Sequence, residues 1–220
     1  MDKKNVCFKV ILFIVSAMII FTMNGYSFVV SNGSGIGYEG VGISNIGINS
    51  PIEIYVIQGA GYFLQSGSDI QRLLVMVELQ DSRPMDFNTF DKVIACASAN
   101  IGKAIETYGL LIRSAESTPY NEMIQSKLKC FDYDSFAQGL GLNKTVFTEV
   151  AGFLRNGDIT GIYKRTYARL KEIASLLQTV KNDSSRQQLS IIPVFRRLND
   201  ILAETSLFGS YTAQVFSAII

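Results

Sequence analysis

The chain has 220 residues, with 20 basic and 19 acidic side chains, 48% hydrophobic residues, three cysteines and no histidine. A formal charge of +1 fits neither a nucleic-acid polycation nor an acidic solvating tail, and the length suits one domain with a real core rather than two large ones. Without histidine there is no Ser-His or Cys-His nucleophile pair and none of the commonest zinc, haem or non-haem iron ligand sets, so no cofactor or metal is expected.

At the N-terminus Lys3, Lys4 and Lys9 precede an apolar run from Val10 to Phe21, and a polar end follows to Ser27. That order is the order of a secretory signal peptide over residues 1–27, with Gly25 and Ser27 as the small residues before a cut at Phe28. The alternative is an uncleaved anchor, because residues 10–30 are long enough to cross a bilayer of ~30 Å. The basic residues come first, so both alternatives put the remainder outside the cytoplasm, as an exported (periplasmic or secreted) protein or as an anchored one. Cys7 precedes the apolar run and is not placed as a lipoprotein acceptor. Loss of Lys3, Lys4, Lys9 and Asp2 with the signal leaves 17 bases and 18 acids.

Residues 28–49 are rich in Gly, Ser and Asn with isolated aliphatics at Ile36, Val41, Ile43, Ile46 and Ile48, the composition of a flexible leader. Gly35 to Gly40 spells GxGxxG, but no helix follows at once, no βαβ pattern surrounds it and no ribose-binding acid stands at the right distance. Nucleotide binding is not expected there. A Gly-spaced apolar segment of this kind can also lie in a groove of a partner or add to it as a strand.

From Ser50 the chain reads as helix after helix. Ser50, Pro51 and Glu53 supply a cap, a first-turn proline and a capping-box acid, and the seam Ile52, Val56, Gly59, Phe63, Ser66, Ile70, Leu73, Val77 continues to a short connection at Asp81 to Pro84. A short connection between long helices implies an antiparallel pair. Gly59, Gly61 and Ser66 place small residues inside that helix, which implies close approach of a neighbour, a kink or a ligand cleft. The clearest helix runs from Asp86 to Glu116, with Phe87, Phe90, Ile94, Ala97, Ile101, Ala104 or Ile105, Tyr108, Leu111 or Ile112 and Ala115 as an inner stripe and Asn100 on the polar face. A shorter helix follows Pro119 to about Lys129 with Met123, Ile124 and Leu128 inward, and Cys130 to Gly141 reads as irregular. Asp132 and Asp134 lack the further ligands and glycine of a calcium loop.

Asn143 to Arg155 forms the next helix, stopped by Asn156 and Gly157, and Asp158 caps another that runs to Val180. Its outer side gathers Lys164, Arg165, Arg169 and Lys171 beside Tyr163 and Tyr167, which suits either an anionic partner, contacted by Arg165 and Arg169, or a solvated face. The last helix has Pro193 in its first turn and carries Phe195, Leu198, Thr205, Phe208 and Val215 towards an apolar C-terminus that needs packing down. Cys96 and Cys130 are the two cysteines left after signal removal, and in an exported chain they form a candidate disulfide; two buried free thiols are the alternative.

The expected architecture is all-α: an antiparallel helical bundle over residues 50–220, of about four long helices plus one or two short ones. The expected function is non-enzymatic, that of a structural, adaptor or accessory subunit binding a protein partner or a second copy of itself, with no nucleic acid and with the membrane involved only through an uncleaved N-terminus. A small-molecule-binding or sensory bundle, with its ligand between helices near Gly59, Gly61 and Ser66, is the alternative. A third class, an enzyme built on carboxylates or tyrosines, would draw on Glu53, Asp69, Glu106, Tyr108, Tyr163 and Tyr167.

Overall fold

The computed structural model describes residues 51–80, 84–117, 122–140, 144–183 and 188–219, which form seven helices and no strand. The signal-peptide and leader segments and the Ser50 cap lie outside the described residues. The helices are α1 (Pro51–Glu78), α2 (Phe87–Ser117), α3 (Glu122–Cys130), α4 (Tyr133–Leu140), α5 (Lys144–Arg155), α6 (Ile159–Asn182) and α7 (Gln188–Ile219).

Local chemistry sets the boundaries. Pro51 opens α1 at a position whose N–H would have no helical partner in any case. Asp86 caps α2, its Oδ1 accepting the Asn88 and Thr89 backbone N–H at 3.0 and 3.3 Å and its Oδ2 the Thr89 hydroxyl at 2.6 Å. The Thr89 hydroxyl, more than any other group, holds the Asp86 carboxyl below the usual range. Gly157 ends α5 with φ at 67°, in the left-handed region that favours glycine. The Gly157 N–H bonds the Leu154 carbonyl at 3.0 Å and the Asp158 N–H bonds Phe153 at 2.9 Å, the double closure of a Schellman turn. Asp158 then caps α6 by accepting from the Gly161 N–H at 2.7 Å, so one tight turn both ends α5 and starts α6.

α4 corrects the expectation of an irregular segment. Tyr133, Phe136, Ala137 and Leu140 recur at helical spacing, and Asp132 caps them by accepting from the Ser135 N–H at 3.0 Å and hydroxyl at 2.7 Å. Pro193 sits in the second turn of α7 rather than the first, because the helix starts at Gln188. The cost is one backbone bond to the carbonyl four residues back, and the exposed ring has room on the solvent side.

Two hydrophobic clusters organise the packing. The first draws on α1, α2, α6 and the N-terminal half of α7, with Ile70, Leu73, Phe90, Ile101, Leu111, Leu170, Leu177 and Phe195 at its centre. Each of these helices touches the next in the order α1, α2, α6, α7, and α7 touches α1. Neighbours run in opposite directions: Gly59 meets Tyr108 while Ser66 meets Ala97, and Lys164 meets Glu116 while Tyr167 meets Gly109. Arg165 meets Glu204 while Glu172 meets Arg197, and Gly67 meets Leu202 while Gln71 bonds Asn199.

The second cluster gathers α3, α4 and α5 around the start of α6 and the C-terminal half of α7. It is strongly aromatic. Phe131 meets Tyr133 at 5.0 Å and Phe136 at 5.2 Å, Phe147 meets Tyr211 at 5.9 Å, and Phe153 meets Phe208 at 6.0 Å, all edge to face. Pairs of this geometry are worth about 0.5–1.5 kcal/mol beyond their area. The Tyr133 hydroxyl donates to the Leu128 carbonyl at 2.9 Å and ties α4 to α3. Met123, expected inward on α3, is exposed, because Leu128 and Ile124 fill the inner face of so short a helix.

Two expectations follow. A Cβ at Gly59 would stand 2.8 Å from the Tyr108 ring, whereas one at Gly61 would meet nothing within 4 Å. Gly59→Ala should therefore destabilise by about 1–2 kcal/mol and Gly61→Ala stabilise by about 0.5–1 kcal/mol in denaturant titrations. Burial pushes the Tyr133 phenol up to about 12 against the pull of Arg155, and it raises Tyr108 as well, with Tyr163 adding to it. Both raised groups favour the neutral phenol in the fold. Their contribution is complete below the ordinary value of 10.0 and is lost as pH rises from there towards about 12, since the unfolded chain gives up its protons first. Tyr133→Phe should flatten that alkaline decline and cost about 1 kcal/mol at neutral pH through the lost Leu128 bond.

Candidate functional site

The small residues of α1 do not open a cleft. Gly59 is filled by the Tyr108 ring, Ser66 is fully buried with its hydroxyl donating to the Ala97 carbonyl at 3.1 Å, and Gly61 faces solvent. Close approach of α2 is what Gly59 and Ser66 accommodate, and the two do not meet Gly61 on one surface. Asn100 is also corrected: it is buried, and its side chain donates to the Asp69 carboxylate at 3.4 Å across the same helix pair.

Arg165 and Arg169 come together, but inside a chain of carboxylates. Arg165 Nε and Nη2 bond both oxygens of Glu149 on α5 at 3.1 and 2.9 Å, and Nη2 also reaches Glu204 on α7 at 2.6 Å. Arg169 joins Glu204 at 2.7 Å to Glu172 at 2.9 Å, and Glu172 continues to Arg197 at 2.7 Å. Three cations and three anions alternate. The Arg165 side chain is only 8% exposed and lies over the Phe208 ring at 4.2 Å, so it does not stand on the outer side of α6 as expected. On that outer side Lys164 pairs with Glu116 at 2.7 Å, and Lys171 lies over Tyr167 at 4.6 Å.

Cys96 and Cys130 are both free and both exposed, Cys96 on α2 and Cys130 at the end of α3. The helix turns Val93, Ile94 and Ala97 inward and leaves Cys96 outside that stripe, so it is not a buried thiol either. Among the described residues no group of three or more His, Cys, Asp or Glu side chains is placed to hold a metal ion.

The surface that sequence reasoning missed lies on the outer side of the α1–α2 pair. One recess of about 320 Å³ is lined by Asp69, Arg72, Thr89, Lys92, Val93 and Cys96. A second of about 290 Å³ shares Arg72 and Thr89 and is lined also by Val75, Met76, Leu79, Pro84, Met85 and Asp86. Together they form one groove, charged in the middle and apolar towards the α1–α2 connection. Val75 and Leu79 are 50% and 51% exposed at its apolar end, and Phe87, expected in the inner stripe, is 46% exposed at the start of α2, ahead of the first core position at Phe90. Burial holds the Asp69 carboxyl above its usual range, against the pull of Asn100 and Arg72. The signal was present in Leu73-Leu74-Val75-Met76-Val77, five successive apolar residues that cover every face of a helix needing only one.

The charge chain carries its own expectation. Glu204→Ala removes a carboxylate shared by two arginines and leaves the buried Arg165 guanidinium to Glu149 alone, which should cost about 2 kcal/mol in a denaturant titration. Arg197→Ala at the exposed end should change stability by no more than about 0.5 kcal/mol. The chain matches no family model, no curated protein and no solved structure.

Proposed function

We propose that the chain is an exported antiparallel helical bundle that acts without catalysis, as a structural, adaptor or accessory subunit that binds protein through the outer α1–α2 groove. The order of signal peptide, leader and helical domain, 1–27, 28–49 and 50–220, supports the compartment, and the opposed directions of neighbouring helices support the bundle. Among the described residues no helix is long and apolar enough to cross a membrane.

The observation that carries the function is the half-exposed pair Val75 and Leu79 at the mouth of an apolar recess. Two neighbouring aliphatics that the fold leaves half in water favour any partner that removes them from it, and exposed apolar patches of this kind mark interaction sites. The groove is a contact surface rather than a reaction centre: Asp86 is committed to the α2 cap and Asp69 to Asn100.

The test is light scattering on protein purified from an exporting host, with intact mass on the same sample. The wild-type protein should start at Phe28 and elute above monomer mass, alone or with a co-purifying chain. Val75→Glu with Leu79→Glu should elute as a folded monomer, since exposed substitutions of this kind usually change stability by less than about 0.5 kcal/mol each. A wild-type protein that is monomeric and unaccompanied overturns the proposal.

A further inference from the structure

The outer face of α1 carries a pattern that the core does not use. Leu64, Val75 and Leu79 are 42%, 50% and 51% exposed, and with Gly61, Ser68 and Arg72 they recur at spacings of three and four along one stripe. Ser66, Ile70, Leu73 and Val77 are buried on the opposite side of the same helix. The Leu79 N–H bonds the Val75 carbonyl at 3.0 Å, so helical spacing extends one residue past the end of α1. From Gly61 to Leu79 the stripe is about 27 Å long, five turns of helix. Asp69, Arg72, Val75 and Leu79 line the outer groove as well, so the stripe is one wall of it.

Turned end for end about Ile70, this stripe matches itself. In an antiparallel pair centred there, each position is level with the one equally far from Ile70 on the other side in the second copy. Leu79 and Gly61 are both nine positions from Ile70. Leu79 therefore stands over Gly61 of the second copy, where a side chain would meet nothing of its own chain within 4 Å. Val75 falls level with Gln65 and beside Leu64 of the second copy, which brings two half-exposed aliphatics together. Arg72 falls beside Ser68 and Asp69 of the second copy, on the same flank of the pair. Asn100 takes Oδ2 of Asp69 at 3.4 Å, and an ionised carboxylate has acceptor sites to spare for a guanidinium. Two-fold symmetry makes each contact twice.

A parallel pair does none of this. It sets Arg72 against Arg72 and Gly61 against Gly61, so like charges meet and the space over the glycine stays unfilled. From the charge complementarity of Arg72 with Asp69 and the fit of Leu79 over Gly61, we infer that the occupant of the outer groove is α1 of a second copy of this chain, antiparallel and centred on Ile70. The inference rests on the groove being the partner surface, and names the partner.

The experiment uses the full chain from an exporting host, with Cys7→Ser, Cys96→Ser and Cys130→Ser removing the native thiols. One protein carries Leu64→Cys and another Val75→Cys; the two are mixed, left to exchange chains and oxidised with copper phenanthroline. The mixture should form a cross-linked dimer about tenfold faster than either protein alone, because pairing holds the two different thiols at a high effective concentration and keeps identical ones apart. With the native cysteines in place, light scattering should give twice the chain mass. Arg72→Glu and Gly61→Gln, both at exposed positions, should each raise the dimer dissociation constant about tenfold while circular dichroism stays unchanged. Cross-linking of Val75→Cys with itself as fast as the mixture, or no cross-linking in the mixture, overturns the inference. A stable complex with a different chain that is lost in the Val75→Glu, Leu79→Glu protein also overturns it, yet leaves the groove as a protein-binding surface. A monomer without company overturns both.

Discussion

Arg165 must stay charged where water scarcely reaches it, and three helices are arranged to allow that. α5 supplies Glu149 to its fork, α7 supplies Glu204 to its tip, and the Phe208 ring covers the guanidinium face. Such a cluster is weak evidence of net stability, because desolvation offsets much of the attraction. Its consequence is register. A slide of one helical turn, about 5.4 Å, would carry the guanidinium away from both carboxylates and leave it buried and unpaired. The same point is where α6 and α7 leave the first hydrophobic cluster and enter the second, so one interaction aligns both cores on their two shared helices.

That dependence explains why α3, α4 and α5 can be short. None of them is long enough to be a stable helix alone, at 9, 8 and 12 residues. They hold because the aromatic cluster packs them on α6 and α7 once those two are in register, and because the Schellman turn at Gly157 and the Asp158 cap leave almost no freedom between α5 and α6. α4 touches only α5 among its stronger contacts, and its tie to α3 is the Tyr133 hydroxyl.

What was legible in the sequence was whatever one stripe decides. The inner stripe of α2 from Phe90 to Ala115 and the seam of α1 from Ser66 to Val77 turn inward as their spacing requires. Ala115, Gly157 and Asp158 behave as the local rules say. What was not legible was anything decided by two helices jointly. Asn100 is polar and nevertheless buried, because Asp69 on a neighbouring helix supplies its partner. Arg165 and Arg169 read as an outward anion contact because Glu149 and Glu204, which draw them together, arrive from positions 16 to 39 residues away. α4 was missed for a different reason: its cap and spacing were present, but with Gly139 near its end its eight residues fell below what a periodic pattern can establish alone.

The outer groove is the place where the inward logic of the fold runs out. Around Val75 and Leu79 the apolar pattern continues past the face that the core uses, and no packing of the described helices removes it from water. A groove this shallow gives a free peptide little to hold, since association costs several kcal/mol of translational and rotational freedom before any contact is gained. A partner that binds there must therefore bring more contact than the groove alone offers.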